Sequence, residues 1–212
     1  MTAPEKSLNA KALDDVAART LRDYAVRAER FREQTADHDV SQNVAALLDA
    51  IEGRGPFAIL DAGCGPGRDL KTFASLGHSA TGLEGCPEFA AMARAAGFEV
   101  LEQNFLALDL PSNHFDGIFA NATLFHIPTQ ELPRALKQFR AALKPRGVLF
   151  SSNPRGENQE GWFSGRYCAY HDWDAWRGYV TEAGFEEVRH YYRPDGLPRE
   201  QQPWLASVWR KK

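Results

Sequence analysis

The stretch with the clearest chemical meaning is residues 59–67, which read Ile-Leu-Asp-Ala-Gly-Cys-Gly-Pro-Gly. An apolar strand end and the carboxylate of Asp61 come first, and glycine then occupies every second position. Glycine allows a sharp backbone bend and leaves no side chain between that backbone and a ligand. Because residues 69–76 can begin a helix directly afterwards, the loop is predicted to join a strand to a helix, where open α/β sheets bind small molecules.

The glycine spacing differs from the dinucleotide-binding fingerprint, which has glycine at relative positions 1, 3 and 6. Gly63 and Gly65 occupy the first two of these positions, but Arg68 occupies the last. The sequence also lacks the Gly-Lys-Ser/Thr of a phosphate-binding P-loop. A nicotinamide-dependent dehydrogenase is therefore a disfavoured alternative.

A second acid lies where a nucleoside ligand would need it. Residues 80–84 read Ala-Thr-Gly-Leu-Glu and are predicted to end a second strand in Glu84, followed by Gly85. In dinucleotide folds an acid at this place accepts hydrogen bonds from ribose hydroxyls. The same geometry serves the ribose of an adenosine.

The pattern Asp-x-Gly-x-Gly-x-Gly at residues 61–67 resembles motif I of class I S-adenosylmethionine-dependent methyltransferases, of the small-molecule, UbiE/UbiG-like type. Four further segments resemble that family in the same order: residues 106–111, 115–119, 143–147 and 183–185. The resemblance covers residues 57–152 by motif and 172–210 by pattern. It implies S-adenosylmethionine as the methyl donor, S-adenosylhomocysteine as the product, a small-molecule acceptor, in-line displacement and no metal.

The resemblance also assigns donor-binding residues to this chain. They are Tyr24, Asp61, Gly63, Cys64, Gly65, Gly67, Glu84, Gly85, Asn104, Phe105 and Asn121. The family often places an acid after the third strand to accept from the adenine amino group, and Asn104 stands there instead. An Asn carbonyl can accept the same hydrogen bond without the charge. Cys64 is interpreted as a small filler of the loop.

Candidates for acceptor chemistry follow the predicted fourth and fifth strands. His126 is expected in a loop that faces the pocket, where an imidazole can take a proton from a hydroxyl or amine; the alternative is a loop histidine bonded to backbone. Residues 153–171 are predicted to form a long irregular stretch whose arginines and aromatic rings clasp a planar or carboxylate-bearing substrate, or else cover the sheet end. The candidates there are Arg155, Trp162, Arg166, Tyr167 and Tyr170.

The elements that must position these residues alternate between strand and helix. Strands are predicted at residues 57–61, 79–83, 98–101, 115–120 and 148–152, with helical patterns between them, which indicates a parallel sheet covered on both faces. Two further strands, 188–192 and 204–209, follow without an intervening helix and must pair antiparallel or lie apart. We therefore predict an α/β, Rossmann-like, doubly wound sheet of seven strands, mostly parallel with one antiparallel strand.

The chain is predicted to form one domain over residues 1–212, with three parts. Residues 1–52 form a helical cap, with one helix from about 9 to 33 and a second capped by Ser41. Residues 57–152 form the donor-binding half, and 153–212 form the substrate loop and the last strands. Tyr24 lies on the first helix, where it either contacts the ligands or packs in the helix interface.

Composition narrows the class of partner. The chain has 212 residues, 43% of them hydrophobic and 25% charged, with a net charge of −3. It has no basic block suited to nucleic acid and no apolar run of about 18 residues suited to a membrane span. Three widely spaced cysteines without a Cys-x-x-Cys favour the reducing cytosol. The acceptor atom and the choice between monomer and homodimer stay open, as does a non-catalytic donor-binding module.

Overall fold

A computed structural model describes residues 7–212, so residues 1–6 of the predicted cap lie outside the described part. The helices described there are α1 (Ala10–Ala25), α2 (Ala28–Thr35), α3 (Ser41–Leu48), α4 (Arg68–Ser75), α5 (Pro87–Ala95), α6 (Leu132–Ala142) and α7 (Trp173–Glu182). The strands are β1 (Ala58–Ala62), β2 (Ser79–Glu84), β3 (Glu99–Glu102), β4 (Phe115–Asn121), β5 (Leu143–Pro154), β6 (Gln159–Phe163), β7 (Arg166–Tyr170), β8 (Phe185–Arg193) and β9 (Trp204–Lys211). None of these helices is both long and apolar enough to cross a bilayer.

Seven of the described strands form one sheet in the order β3-β2-β1-β4-β5-β9-β8. Neighbouring strands from β3 to β5 pair parallel, whereas β9 pairs antiparallel with both β5 and β8. The predicted mostly parallel sheet with a single antiparallel strand is confirmed. The carboxyl ends of β1 to β5 and of β8, together with the amino end of β9, consequently meet at one edge.

Helices cover both faces of this sheet. Successive residues of a strand point to opposite faces, and both Ile59 and Leu60 of β1 are fully buried. Ile59 packs with α3 and α4 through Leu47 and Phe73, whereas Leu60 packs with α6 and α7. A strand buried on both faces is mostly apolar, which is why residues 57–60 and 148–150 read as continuous apolar runs.

The predicted single helix at residues 9–33 is wrong in one respect, because it is broken into α1 and α2 at Val26 and Arg27. The break folds α2 back, so that the rings of Tyr24 and Phe31 meet edge to face with centroids 5.7 Å apart. Ser41 is also not the cap of the next helix. It is the first residue of α3, and its backbone N–H donates to Oδ1 of Asp39 at 2.9 Å.

The stretch 153–171 is not irregular, which corrects the expectation from sequence. It contains the antiparallel hairpin β6–β7, in which Phe163 pairs with Arg166. Ser164 and Gly165 form the turn, with φ angles of +50° and +88°. Two successive residues of positive φ match the twist of a two-residue hairpin. The aromatic side chains that suggested a binding loop belong to these two strands.

Candidate functional site

A cavity of about 550 Å³ runs along the sheet edge where the strand ends meet. Its floor extends from Glu84 and Asn104 at the ends of β2 and β3, past the glycine loop and Thr123, to Trp204 at the start of β9. Its roof is α1 and α2, which contribute Val16, Ala17, Thr20, Leu21, Tyr24, Phe31 and Thr35. The predicted cap therefore covers the loops that the sequence singled out.

The glycine loop is a close backbone approach between β1 and its neighbours. Gly63, Gly65 and Gly67 all adopt positive φ, at +75°, +54° and +89°. A Cβ on Gly63 would lie 2.1 Å from Oγ1 of Thr123, which is a steric clash that could be relieved only if the loop or Thr123 moved. The N–H of Gly63 donates to the carbonyl of Leu83 at 2.7 Å and thereby joins the loop to the end of β2. Side chains are excluded here by both conformation and space.

Glu84 organises the loop as well as the cavity wall. One carboxylate oxygen accepts from the N–H of Gly65 at 2.9 Å, and the other accepts from the N–H of Cys86 at 2.8 Å. Burial raises the pKa of Glu84, and the backbone N–H donors of Cys86 and Gly65 oppose that rise. Since each carboxylate oxygen has a second acceptor site, Glu84 can still receive ribose hydroxyls.

Asp61 lies under the loop and does not line the cavity. Its side chain is buried, and Oδ2 has no hydrogen-bond partner among the described residues. Burial, followed by the neighbouring charge of Asp69, raises the pKa of Asp61 well above its usual value. Gly67 likewise lies outside the lining, where its conformation begins α4. The other predicted donor-binding residues line the cavity.

Arg68 links the loop to the roof. Its guanidinium binds the Asp69 carboxylate through Nε at 2.7 Å and Nη2 at 2.8 Å, and its Nη1 donates to the carbonyl of Thr35 at 3.0 Å. Thr35 is the last residue of α2, where helix carbonyls lack intrahelical partners. In the sequence, Arg68 was only a departure from the dinucleotide fingerprint. Its contact with Thr35 could not be predicted, because the two residues are 33 positions apart.

Asn104, the predicted acceptor for the adenine amino group, already binds a backbone N–H. Oδ1 of Asn104 accepts from the N–H of Leu106 at 2.8 Å, so a ligand amino group would have to share this oxygen. Phe105 lies beside it on the cavity wall. Farther along the edge, Oδ1 of Asn121 accepts from Nδ2 of Asn43 at 2.9 Å. Burial raises the pKa of the Cys64 thiol, which agrees with its interpretation as a filler.

Tyr24 and His126 meet across the cavity. Nδ1 of His126 lies 2.8 Å from the carbonyl of Tyr167, so this nitrogen carries the proton and Nε2 accepts. The hydroxyl of Tyr24 donates to that Nε2 at 2.8 Å and accepts from Nη1 of Arg166 at 3.0 Å. Burial lowers the pKa of His126 to about 4, which keeps the imidazole neutral at pH 7.

The other residues predicted to contact substrate lie outside the cavity lining. Three of them support α1 from behind: Arg166 bonds Tyr24, the N–H of Tyr167 donates to Oγ1 of Thr20 at 3.0 Å, and the ring of Trp162 stacks on Arg19. Tyr170 stacks on Phe125 with ring centroids 5.9 Å apart.

Arg155 lies outside the cavity lining, and its Nη2 donates to the carbonyl of Arg199 at 2.9 Å. It directly follows Pro154, the last residue of β5 and the register partner of the lining residue Trp204, so the sequence alone could not distinguish its place from the cavity wall. The cavity is instead lined in part by Phe89, Arg193 and Trp204, which no pattern in the sequence assigned to the site. No local motif marks these three, since each is brought there by the pairing of distant strands and helices.

These residues fit an adenosyl donor. The glycine loop offers backbone where any Cβ at Gly63 would collide, Glu84 offers carboxylate oxygens beside it, and Phe105 offers an aromatic face. An α/β sheet binds such ligands outside the carboxyl ends of its strands. A seven-stranded sheet with this strand order and this loop defines a class I S-adenosylmethionine-dependent methyltransferase.

Comparison with known families agrees with that class. Residues 60–151 match the family model described as a methyltransferase domain. The chain thus contains a methyltransferase domain over residues 60–151, and the match includes the glycine loop, Glu84 and His126. The finer UbiE/UbiG-like assignment stays a prediction. A search of curated protein sequences finds no match.

Solved structures share the fold over most of the chain. The 1,6-didemethyltoxoflavin-N1-methyltransferase of Burkholderia thailandensis, with bound 1,6-didemethyltoxoflavin and S-adenosylhomocysteine, is 25% identical with a TM-score of 0.78, over 99% of this chain and 94% of that one. A Mesorhizobium loti S-adenosylmethionine-dependent methyltransferase is 20% identical with a TM-score of 0.67, over 78% and 96%. The [4+2]-cyclase SpnF is 15% identical with a TM-score of 0.73, over 92% and 97%. Because the same fold carries a cyclase, the fold by itself does not select the reaction.

Proposed function

We propose that this chain is a cytosolic enzyme that transfers a methyl group to a small-molecule acceptor held beside the donor in the cavity under α1 and α2. When bound, S-adenosylmethionine supplies an electrophilic methyl group on a sulfonium. The observation that carries the proposal is that one cavity, closed above by α1 and α2, extends past the donor-binding loops to β8 and β9. A space of about 550 Å³ lies within the range of small-molecule sites, about 300–1,000 Å³.

Two ends of the cavity are distinguished by their residues. The donor end consists of the glycine loop, Glu84 and residues 103–106. The acceptor end consists of Asn121, Thr123, His126, Arg193 and Trp204. We infer that the donor end holds the adenosyl group and that the acceptor end holds the molecule to be methylated. The Burkholderia thailandensis enzyme with which this chain shares its fold binds 1,6-didemethyltoxoflavin, and this supports a small-molecule acceptor.

Positioning supplies most of the rate in a displacement of this kind, because two bound reactants react as if at very high concentration. The contact between Tyr24 and His126 serves positioning, since it fixes α1 against the sheet edge. A base with a pKa of about 4 is a weak proton acceptor at neutral pH. We therefore assign His126 the role of holding Tyr24 through its Nε2 lone pair, and the general-base role stays the less favoured prediction.

Location in the cytosol is part of the same proposal. All three cysteines are free thiols, and all are buried. Unpaired cysteines suit a reducing compartment. The low net charge and the cavity beneath α1 and α2 favour a metabolite over a nucleic acid as acceptor.

The proposal is tested by incubating the protein with methyl-labelled S-adenosylmethionine and a metabolite extract, and by following the label into products. We expect label in a small organic product and release of S-adenosylhomocysteine. In parallel, S-adenosylhomocysteine at about 100 times its dissociation constant should raise the free energy of unfolding by roughly 2.7 kcal/mol.

The outcomes separate the alternatives. Stabilisation by S-adenosylhomocysteine without any labelled product would favour a non-catalytic donor-binding module. Stabilisation by NAD and not by S-adenosylhomocysteine would overturn the proposal in favour of a dehydrogenase.

A further inference from the structure

The far wall of the acceptor end, formed by Arg193 and Trp204, lies well away from Glu84 at the donor end. In the sheet order, β9 is four strands away from β2, which ends in Glu84. Neighbouring strands lie about 4.8 Å apart, so the two walls are separated by roughly 19 Å. The loops of the donor end belong to β1, β2 and β3 and use only half of this edge. The other half is left for a second molecule.

Arg193 gives that half a positive charge. It is the last residue of β8 and pairs in register with Trp204, the first residue of β9, and both side chains line the cavity. Nη2 of Arg193 donates to the backbone carbonyl of Asp39 at 3.1 Å. Within residues 7–212, no carboxylate lies within the 4.0 Å of an ion pair with Arg193.

The groups of the described residues that face Arg193 form no ion pair with it. The hydrogen bonds from Ser41 lower the pKa of the exposed Asp39 carboxylate most, and the charge of Arg193 adds to this from beyond ion-pair distance. His126 is neutral at pH 7, and Thr123 is uncharged. Arg68, the other cation of the lining, is already bound to the carboxylate of Asp69. The acceptor end therefore presents one guanidinium without a carboxylate partner, beside an indole ring.

We propose that Arg193 and Trp204 bind the acceptor, and that the acceptor is a small planar carboxylate. A guanidinium forms two parallel hydrogen bonds with a carboxylate, which fixes both position and orientation. An indole offers a flat apolar face to an aromatic ring. The proposal rests on the proposed function, because it names the substrate class of the same cavity.

The test first saturates the protein with S-adenosylhomocysteine and measures that binding by calorimetry. Benzoate, salicylate and quinaldate are then titrated into the saturated protein, each beside its own carboxamide. The carboxamide keeps the ring and the shape but lacks the charge. We expect at least one acid to bind at least tenfold more tightly than its amide.

Three variants locate the residues responsible for this preference. Arg193→Gln should reduce the acid-over-amide ratio to within twofold of one while changing the affinity for S-adenosylhomocysteine less than twofold. Arg199→Gln is the matched control, because Arg199 lies on the same segment but stacks outside the cavity, 3.2 Å above the ring of Tyr192. It should keep the wild-type ratio. Trp204→Leu should weaken the acid and the amide by the same factor.

Three results overturn the inference. In the first, no acid binds more tightly than its amide to the saturated wild-type protein. In the second, Arg193→Gln keeps the preference. In the third, Arg193→Gln weakens S-adenosylhomocysteine and not the acids, which would assign Arg193 to the donor. Failure of S-adenosylhomocysteine to bind the wild-type protein at all would instead overturn the proposed function, so the two failures are distinguishable.

Discussion

The donor end and the acceptor end of this cavity are built by different means. The donor end uses backbone: three glycines at positive φ, and Glu84, which binds two backbone N–H groups of the loops beside it. The acceptor end uses long side chains from segments far apart in the chain, such as His126 in the turn after β4 and Trp204 at the start of β9. Backbone geometry tolerates almost no substitution, whereas side chains on strand ends can be exchanged without changing the sheet. We therefore propose that tight local geometry holds the common donor and that replaceable side chains select the acceptor.

The largest effect expected from this difference is at Gly63. Gly63→Ala would place a methyl group 2.1 Å from Oγ1 of Thr123 at a φ of +75°. We expect the free energy of unfolding to fall by about 3 kcal/mol or more, from strain and overpacking together. Urea denaturation measures it.

Gly77→Ala is the matched control for this change, because Gly77 has a φ of +84° and open space around it. Its loss should be limited to about 1 kcal/mol of backbone strain. A Gly63 variant as stable as the Gly77 variant would mean that the loop and β4 are not in close contact. Adding Thr123→Gly to Gly63→Ala should recover part of the loss, since it removes the atoms that collide.

A smaller effect is expected at Glu84, on donor affinity. Glu84→Gln leaves one oxygen where the carboxylate had two, so either Gly65 or Cys86 loses its acceptor and ribose hydroxyls lose a charged one. A hydrogen bond to a charged group contributes about 1.5–3 kcal/mol, so S-adenosylhomocysteine should bind roughly 10–100-fold more weakly. Calorimetric titration measures the affinity, and a change below threefold would remove Glu84 from the donor site.

Substitution of Asp61 should raise the free energy of unfolding, whereas Gly63→Ala should lower it. Its folded-state pKa is raised by burial, so between pH 3.8 and that raised pKa the folded state binds more protons than the unfolded state. The contribution is present at low pH and is lost as pH rises through the folded pKa. Asp61→Asn should therefore make the ligand-free protein more stable than wild type at pH 8, by about 1–2 kcal/mol, the scale of one unpaired buried polar group.

The check is urea denaturation of both proteins at pH 5, 6.5 and 8 without ligand. The difference between them should grow with pH, and the titration of His126 cancels because both proteins contain it. A difference that is constant across this range would show that Asp61 keeps one protonation state. The same variant should bind S-adenosylhomocysteine more weakly if Asp61 also attracts the donor's ammonium group.

The smallest effect is expected from the hairpin β6–β7, which the structure places behind α1. Trp162→Ala removes a half-exposed ring stacked on Arg19, a contact of about 0.5–1 kcal/mol at an exposed site. The affinity of the S-adenosylhomocysteine-saturated protein for the planar carboxylates should then change less than twofold. A tenfold loss would return Trp162 to the acceptor site, as the sequence predicted.

The sequence predicted a mostly parallel seven-stranded sheet with one antiparallel strand, the glycine loop and the place of Glu84. These features could be predicted because they depend on local signals. Apolar runs, helix ends such as Gly77 and the spacing of Gly63, Gly65 and Gly67 each depend on near neighbours in the chain. Predicted boundaries differ from the observed ones by one to three residues in most elements, and the largest misses are the broken first helix and the hairpin β6–β7. The Ser164–Gly165 turn was not predicted, because the aromatic residues around it suggested a binding loop.

What the sequence determined by itself is the glycine loop after β1 and the place of Glu84 at the end of β2, since conformational freedom at a glycine and the place of an acid after a strand are properties of a few consecutive residues. What only the tertiary structure decided is the acceptor end. Arg193 and Trp204 meet there because β9 inserts antiparallel between β5 and β8, and Arg166 leaves the cavity because its hairpin packs behind α1. The pairing of Trp204 with Pro154 joins residues 50 positions apart, and the contact of Arg166 with Tyr24 joins residues 142 positions apart. Such pairings have no signature in local spacing, so a side chain's direction is settled only when the chain has folded.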